Sequence, residues 1–182
     1  MKSIGFLKQK FLDKNACVSV VGLGYVGLPL AVAFSEAGFN VIGLDVSEEK
    51  IESLNIGLSH VEDVPDEKIM NLVDKNKPGD IIFTHDYTDL SESDAVIICV
   101  PTPLSKSGDP DMTYVVSAGN GIARNISTET LIVLESTTYP GATKDMLIPI
   151  LLDGNNKDFS LGDNLFVAFS PERIDPGRKD YD

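Results

Sequence analysis

The stretch Ala16–Asp45 limits what this chain can fold into more than any other part of it. It reads ACVSVVGLGYVGLPLAVAFSEAGFNVIGLD. An apolar run (Val18, Val20, Val21) ends in Gly22-Leu23-Gly24-Tyr25-Val26-Gly27, a small and apolar helix-like segment follows, and a second apolar run closes on Asp45. The order is strand, glycine turn, helix, strand, acid.

Each part has a physical task if a dinucleotide binds here. Gly22 allows the tight turn off the strand, Gly24 lets backbone approach a pyrophosphate, and Gly27 lets the helix pack closely on the sheet. The phosphates would meet backbone N–H groups and the positive end of the helix dipole, so no basic side chain is required. Asp45, at the tip of the second strand, would accept hydrogen bonds from the adenosine ribose hydroxyls. A carboxylate there repels a 2′-phosphate and favours NAD over NADP.

The remaining sequence continues the alternation. Ile4–Lys14 reads as a short amphipathic helix packed outside the first strand. Ser47 is an N-cap for a helix to about Leu54, Asn55–Pro65 is a polar, irregular link, and Asp66–Lys75 is a helix with acids at its N-terminal end. Strands are predicted at Asp80–Thr84, Ala95–Val100, Thr130–Glu135 and Asn164–Ser170, and helices at Met112–Asn125 and Ala142–Leu152; Thr88–Ser93 is helix-like. Ser105–Asp111 (SKSGDPD) is too polar and breaker-rich for regular structure, either a solvated loop or a flexible wall of the site. The fold class that follows is α/β, Rossmann-like, a predominantly parallel sheet with helices on both faces. Right-handed crossovers then bring the loops at Gly22, Pro101, Ser136 and Pro171 to one edge of that sheet.

Length and charge narrow the function. The 182 residues suffice for one domain with a substantial core. A net charge of −13 argues against nonspecific binding to nucleic acid or an anionic membrane. The first residues lack the apolar core of a signal peptide and no run is long enough to span a bilayer, so a soluble cytoplasmic protein is expected. Cys17 and Cys99 sit in apolar strand-like runs and are expected to be buried. His60 and His85 are isolated, so no metal site is expected.

Three loops at the sheet edge offer Thr102, Thr137 and Glu172. Hydroxyls beside a nicotinamide can position an alcohol or a water, and a carboxylate can relay a proton. Each has a structural alternative. Thr102 can satisfy backbone in its double-proline turn, Thr137 can cap the helix beginning near Gly141, and Glu172 can pair with Arg173 or Arg178. Read from the residues alone, the chain binds a dinucleotide without displaying an assembled nucleophile.

Five segments carry a family resemblance: VVGLGYVGLPLAVAFSEAG at Val20–Gly38, VIGLDVSEEKIESLNIG at Val41–Gly57, ICVPTPL at Ile98–Leu104, ESTTYPGAT at Glu135–Thr143 and SPERIDPG at Ser170–Gly177. Together they resemble the NAD-binding N-terminal domain of the nucleotide-sugar 6-dehydrogenases, which include the UDP-glucose, UDP-N-acetylhexosamine and UDP-N-acetylmannosamine dehydrogenases. The resemblance implies that NAD oxidises the C6 hydroxymethyl of a UDP-sugar twice, to a carboxylate, through a cysteine thioester. By motif position, Gly22, Gly24, Tyr25, Val26, Gly27, Asp45 and Val46 would hold NAD, with Lys50 near its adenosine end and Val100, Pro101 and Thr102 beside it. Thr137 would contact the cofactor and orient water or substrate, and Glu172 would serve thioester hydrolysis. SPERIDPG resembles the N-acetylhexosamine branch more than the UDP-glucose branch.

The resemblance places residues 1–178 in the NAD-binding domain and 179–182 at a truncated end. The family's catalytic cysteine and its UDP-sugar domain then lie beyond residue 182, Cys17 and Cys99 matching neither. A fragment of this kind is expected to bind NAD but to be inactive alone. The full-length protein would be a homodimer or higher, the fragment's own state staying open. The alternatives are an NAD-dependent dehydrogenase of the 6-phosphogluconate or β-hydroxyacid type, and a non-catalytic NAD-binding regulatory module.

Overall fold

A computed structural model describes residues 4–73, 79–105, 108–127, 129–154 and 159–171. In chain order the elements are α1 (Ile4–Leu12), β1 (Cys17–Val21), α2 (Gly27–Glu36), β2 (Asn40–Leu44), α3 (Glu48–Asn55), α4 (Asp66–Val73), β3 (Ile81–Thr84), a 3-10 segment (Tyr87–Glu92), β4 (Ala95–Ile98), α5 (Thr113–Asn125), β5 (Thr130–Leu134), a π turn (Thr143–Leu147), α6 (Ile148–Asp153) and β6 (Leu165–Phe169). All six strands pair in parallel, in the order β3-β2-β1-β4-β5-β6.

Alternation along the strands divides the core into two layers. Val18 and Val20 of β1, Val41 of β2 and Ile97 of β4 pack with α2, α3 and α4 on one face. Ile42, Leu44, Val96, Ile98, Ile132 and Leu134 pack with α5 and α6 on the other. With both faces covered, the central strand β4 is apolar at every position, AVII. Buried polar groups on the second face are matched: Ser19 and Ser93 pair hydroxyl to hydroxyl at 2.5 Å.

Several helix ends form as their residues dictate. Ser47 Oγ accepts the Lys50 N–H at 3.4 Å and caps α3. Pro29 lies in the first turn of α2, and Gly38 follows that helix with φ of +90°, the left-handed region glycine enters freely. The N-terminal α1 buries Leu7 and is pinned to the start of β4 by an ion pair between Lys10 and Asp94, whose other oxygen accepts the Cys17 N–H.

Two expectations are corrected, the regular helix over Ala142–Leu152 and the burial of the two cysteines, and two irregular stretches gain detail. The described residues of the Ser105–Asp111 stretch form no helix or strand, but an isolated antiparallel bridge pairs Leu104 with Pro110, and Asp111 N–H donates to the Pro103 carbonyl at 2.8 Å. The helix predicted over Ala142–Leu152 opens as a π turn before becoming α6. Cys17 and Cys99 are half-buried, because Cys17 begins β1 and Cys99 lies just past the end of β4. The Asn55–Pro65 link is irregular but anchored, since Val61 and Val64 are buried in the core of the first face. No helix among the described residues is long and apolar enough to cross a membrane. Among those residues, no group of three or more His, Cys, Asp or Glu is placed to hold a metal ion.

Candidate functional site

The sheet reverses direction of growth at β1, whose neighbours are β2 on one side and β4 on the other. The chain leaves β1 toward α2 on one face and leaves β4 toward α5 on the other, so the loops part and a crevice opens beyond the strand ends. A cleft of about 340 Å³ lies there, lined by Gly22, Gly24, Tyr25, Val26, Asp45, Lys50, Cys99, Val100, Pro101, Thr102, Glu135, Ser136 and Thr137. A second hollow of about 260 Å³ shares Asp45, Lys50 and Pro101 with it and continues past Val46 to Tyr87 and Tyr114.

The three glycines of the turn have different reasons to be glycine. Gly22 has φ of +95°, and a Cβ there would stand 2.8 Å from the Cys99 carbonyl oxygen. At Gly27 a Cβ would stand inside the Gly22 carbonyl and 3.1 Å from the Cys99 Cβ. Both are demanded by the protein itself. Gly24 is not: its backbone lies outside the left-handed region, and a Cβ there would meet nothing within 4 Å. The space beside Gly24 is part of the cleft.

Asp45 holds the turn from the tip of β2. It is buried, its Oδ2 accepts the Leu23 N–H at 2.9 Å and its Oδ1 the Ser47 N–H at 3.0 Å. Lys50 Nζ lies 3.3 Å from Oδ2. A buried carboxylate is tolerable because two backbone donors and a cation satisfy it. The α2 N-terminus beyond the turn has no side-chain cap: Val26 occupies the cap position and makes no side-chain hydrogen bond.

The other loops are tied down as well. Ser136 donates its hydroxyl to the Val100 carbonyl at 2.7 Å, stapling the loop after β5 to the loop after β4. That staple sets the positions of Thr102 and Thr137, one on each loop. Thr137 is exposed to the cleft, and Ala142, at the cap position of the π turn, makes no side-chain hydrogen bond. Tyr87 rests against α5, where a Cβ on Gly121 would lie 2.5 Å from its ring. Burial, and then the charge of Asp45, push the Tyr87 phenol above its ordinary pKa.

The structure thus gathers all the predicted site residues in its described part. Gly22, Gly24, Tyr25, Val26, Asp45, Lys50, Val100, Pro101, Thr102 and Thr137 line the first cleft, Val46 lines the second, and Gly27 packs behind the turn. Glu172 lies outside the described residues. Sequence reasoning overlooked the Ser136 staple, the placement of Cys99 and Glu135 in the cleft wall, and Tyr87. It also assigned no role to the His60 side chain, whose Nε2 lies 2.6 Å from the Leu23 carbonyl oxygen.

Comparison with known proteins matches this geometry. Residues 16–182 match the family model described as "UDP-glucose/GDP-mannose dehydrogenase family, NAD binding domain". The chain is 38% identical to Protein CapL of Staphylococcus aureus over 165 residues, 91% of this chain and 37% of that protein. It is 34% identical to the UDP-N-acetyl-D-glucosamine 6-dehydrogenase of Pseudomonas aeruginosa, covering 92% of this chain and 38% of that one. A solved UDP-D-ManNAc dehydrogenase from Pyrococcus horikoshii superposes with a TM-score of 0.80 at 35% identity, covering 89% of this chain and 37% of its own. The chain therefore spans somewhat over a third of the length of these relatives.

Proposed function

The chain belongs to the UDP-glucose/GDP-mannose dehydrogenase family, matching its NAD-binding domain, and from that membership we propose that it holds NAD for an enzyme oxidising the C6 hydroxymethyl of a UDP-N-acetylhexosamine to a carboxylate in two steps. The observation that carries the cofactor assignment is Gly24. No protein contact and no backbone strain calls for glycine there, so the open space beside it is kept for something that is not protein.

The residues present suit NAD. The backbone at Gly24 and the uncapped start of α2 face the diphosphate, with the helix dipole favouring its charge. Asp45 has about four acceptor positions, of which Leu23 N–H, Ser47 N–H and Lys50 occupy three. One is left for a ribose hydroxyl. A 2′-phosphate would be pressed against that carboxylate, while the nearby cation is already committed to it. When bound, NAD supplies the hydride acceptor. Thr102 and Thr137 offer hydroxyls that orient the alcohol or a water, and Glu172 draws the proton from the water that releases the acid.

Cys17 is unsuited to be the thiol of such a reaction. It lies at the opposite end of the sheet from the cleft, and burial, then the charge of Asp94, push its pKa up to about 11. The nucleophile and the sugar-binding groups are assigned to a further part of the enzyme, as is assembly into a homodimer or higher. The N-acetylhexosamine reading draws support from the names of the relatives and from the SPERIDPG run. The 6-phosphogluconate and β-hydroxyacid alternative loses its ground to the match over residues 16–182.

Calorimetric titration with NAD and NADP tests the cofactor assignment. Saturable binding of NAD, with NADP far weaker, is expected; binding of neither would overturn it. In a chain of the relatives' length, NADH formation from UDP-N-acetylhexosamines but not from UDP-glucose tests the substrate. A chain that binds NAD yet reduces it with no nucleotide sugar would favour the regulatory reading.

A further inference from the structure

Leu23 is held by side chains from two other parts of the fold, one at each of its backbone polar groups. Its N–H is taken by Asp45 at the tip of β2. Its carbonyl oxygen lies 2.6 Å from Nε2 of His60, in the link between α3 and α4. A carbonyl only accepts, so His60 carries its proton on Nε2 and donates.

The link is built to deliver that imidazole. Val61 and Val64, on either side of the next turn of chain, are buried in the core of the first face. Ser59 Oγ donates to the Val61 carbonyl and accepts the Val61 N–H, both at 3.1 Å. The Ser59 N–H donates to Asp66 at the start of α4 at 2.7 Å. His60 itself is exposed and lines neither of the two clefts around Asp45.

The consequence follows from peptide geometry. The peptide joining Leu23 to Gly24 is trans, so its C=O and N–H point in opposite directions. Drawing the Leu23 carbonyl toward His60, away from the cleft, turns the Gly24 N–H toward the cleft that Gly24 lines. Resting on the NAD reading above, we propose that His60 is a positioning residue for the diphosphate: it fixes the orientation of the Leu23–Gly24 peptide, whose N–H meets the phosphate. It touches no ligand and acts only through that carbonyl. Its neighbour in this task is Asp45, which fixes the preceding peptide in the same way. Without His60 the turn would keep its glycines, yet the Leu23–Gly24 peptide would lose the side chain that fixes its direction.

The test compares wild type with His60→Ala and His60→Gln, because a glutamine side-chain amide can donate from an equivalent place. NAD and ADP are titrated against each, thermal melts are recorded, and the Gly24 amide resonance is followed in the ligand-free protein. Loss of one hydrogen bond's worth of orientation should weaken both ligands about five- to tenfold in His60→Ala, and equally, since ADP carries the diphosphate without the nicotinamide. His60→Gln should recover affinity to within about twofold, and the Gly24 resonance should move in the alanine variant only. Unchanged affinity in His60→Ala, or a glutamine variant that melts like wild type yet binds as weakly as the alanine one, would overturn the proposal. Failure of the wild-type protein to bind either ligand would overturn the NAD reading itself and this inference with it, a result distinct from the other two.

Discussion

Asp45 and Leu23 lie 22 residues apart in sequence, and the carboxylate of the first accepts the backbone N–H of the second at 2.9 Å. The acid that the proposed function assigns to the adenosine ribose is therefore also the clamp on the glycine turn. On that proposal, ligand contact and turn geometry depend on one side chain.

Asp45→Asn separates the two acceptor oxygens that this clamp needs. An amide has one oxygen, so either the Leu23 or the Ser47 N–H loses its partner in a buried place. The expected loss is about 2 kcal/mol, or roughly 4–8 °C in Tm for a domain of this size. NAD binding should weaken in the same variant. Differential scanning calorimetry with a parallel NAD titration checks both, and an unchanged Tm would show that the clamp carries no stability.

Glycine substitutions should divide into two kinds. Gly24→Ala meets no protein atom within 4 Å, so its Tm should stay within about 2 °C of wild type, while NAD affinity falls at least about tenfold because the methyl occupies the ligand's space. Gly27→Ala collides with the Gly22 carbonyl and should lower stability by about 2 kcal/mol or more. Urea unfolding of the two variants beside NAD titration would reveal the contrast. A Gly24→Ala protein that binds NAD normally would remove the main support for the cofactor site.

Gly121→Ala should reverse the usual rule for helices. Alanine in place of an interior helix glycine ordinarily stabilises, but here the added Cβ would lie 2.5 Å from the Tyr87 ring. A loss of about 1–3 kcal/mol is expected from that overpacking. Adding Tyr87→Ala should recover part of it, a coupling that a double-mutant cycle measures.

Stability should fall in alkali through Cys17. Its thiol is raised from 9.0 to about 11 in the fold, so between these values the native state holds a proton that the unfolded chain releases. A pKa raised by folding stabilises fully below the unfolded value, and the contribution is lost as pH rises through the window from about 9 to about 11. Denaturant melts across that range should show a shallower decline in Cys17→Ala than in wild type. Parallel curves would show that Cys17 does not titrate differently on folding.

Most of the architecture was legible from the residues themselves. A β-branched run, a glycine turn, a helix stripe and a capping serine act over a few residues, through sterics and local hydrogen bonds. Ser47 caps α3, and Gly38 takes φ of +90° after α2, as their chemistry requires. The acid at Asp45 was legible for the same reason: it follows a strand at a distance set by one helix and two turns.

What tertiary structure alone decided are the relationships between residues that the chain keeps far apart. Nothing local distinguishes Gly24, free of protein neighbours, from Gly27, wedged against Gly22 and Cys99. Nor does a polar link announce that His60 will reach the Leu23 carbonyl, or a serine-rich loop that Ser136 will staple Val100. These contacts exist only once the sheet has assembled in the order β3-β2-β1-β4-β5-β6 and brought separate strand ends to one edge. Local sterics wrote the elements into the sequence; long-range packing determined which backbone groups face the cleft and which are held away from it.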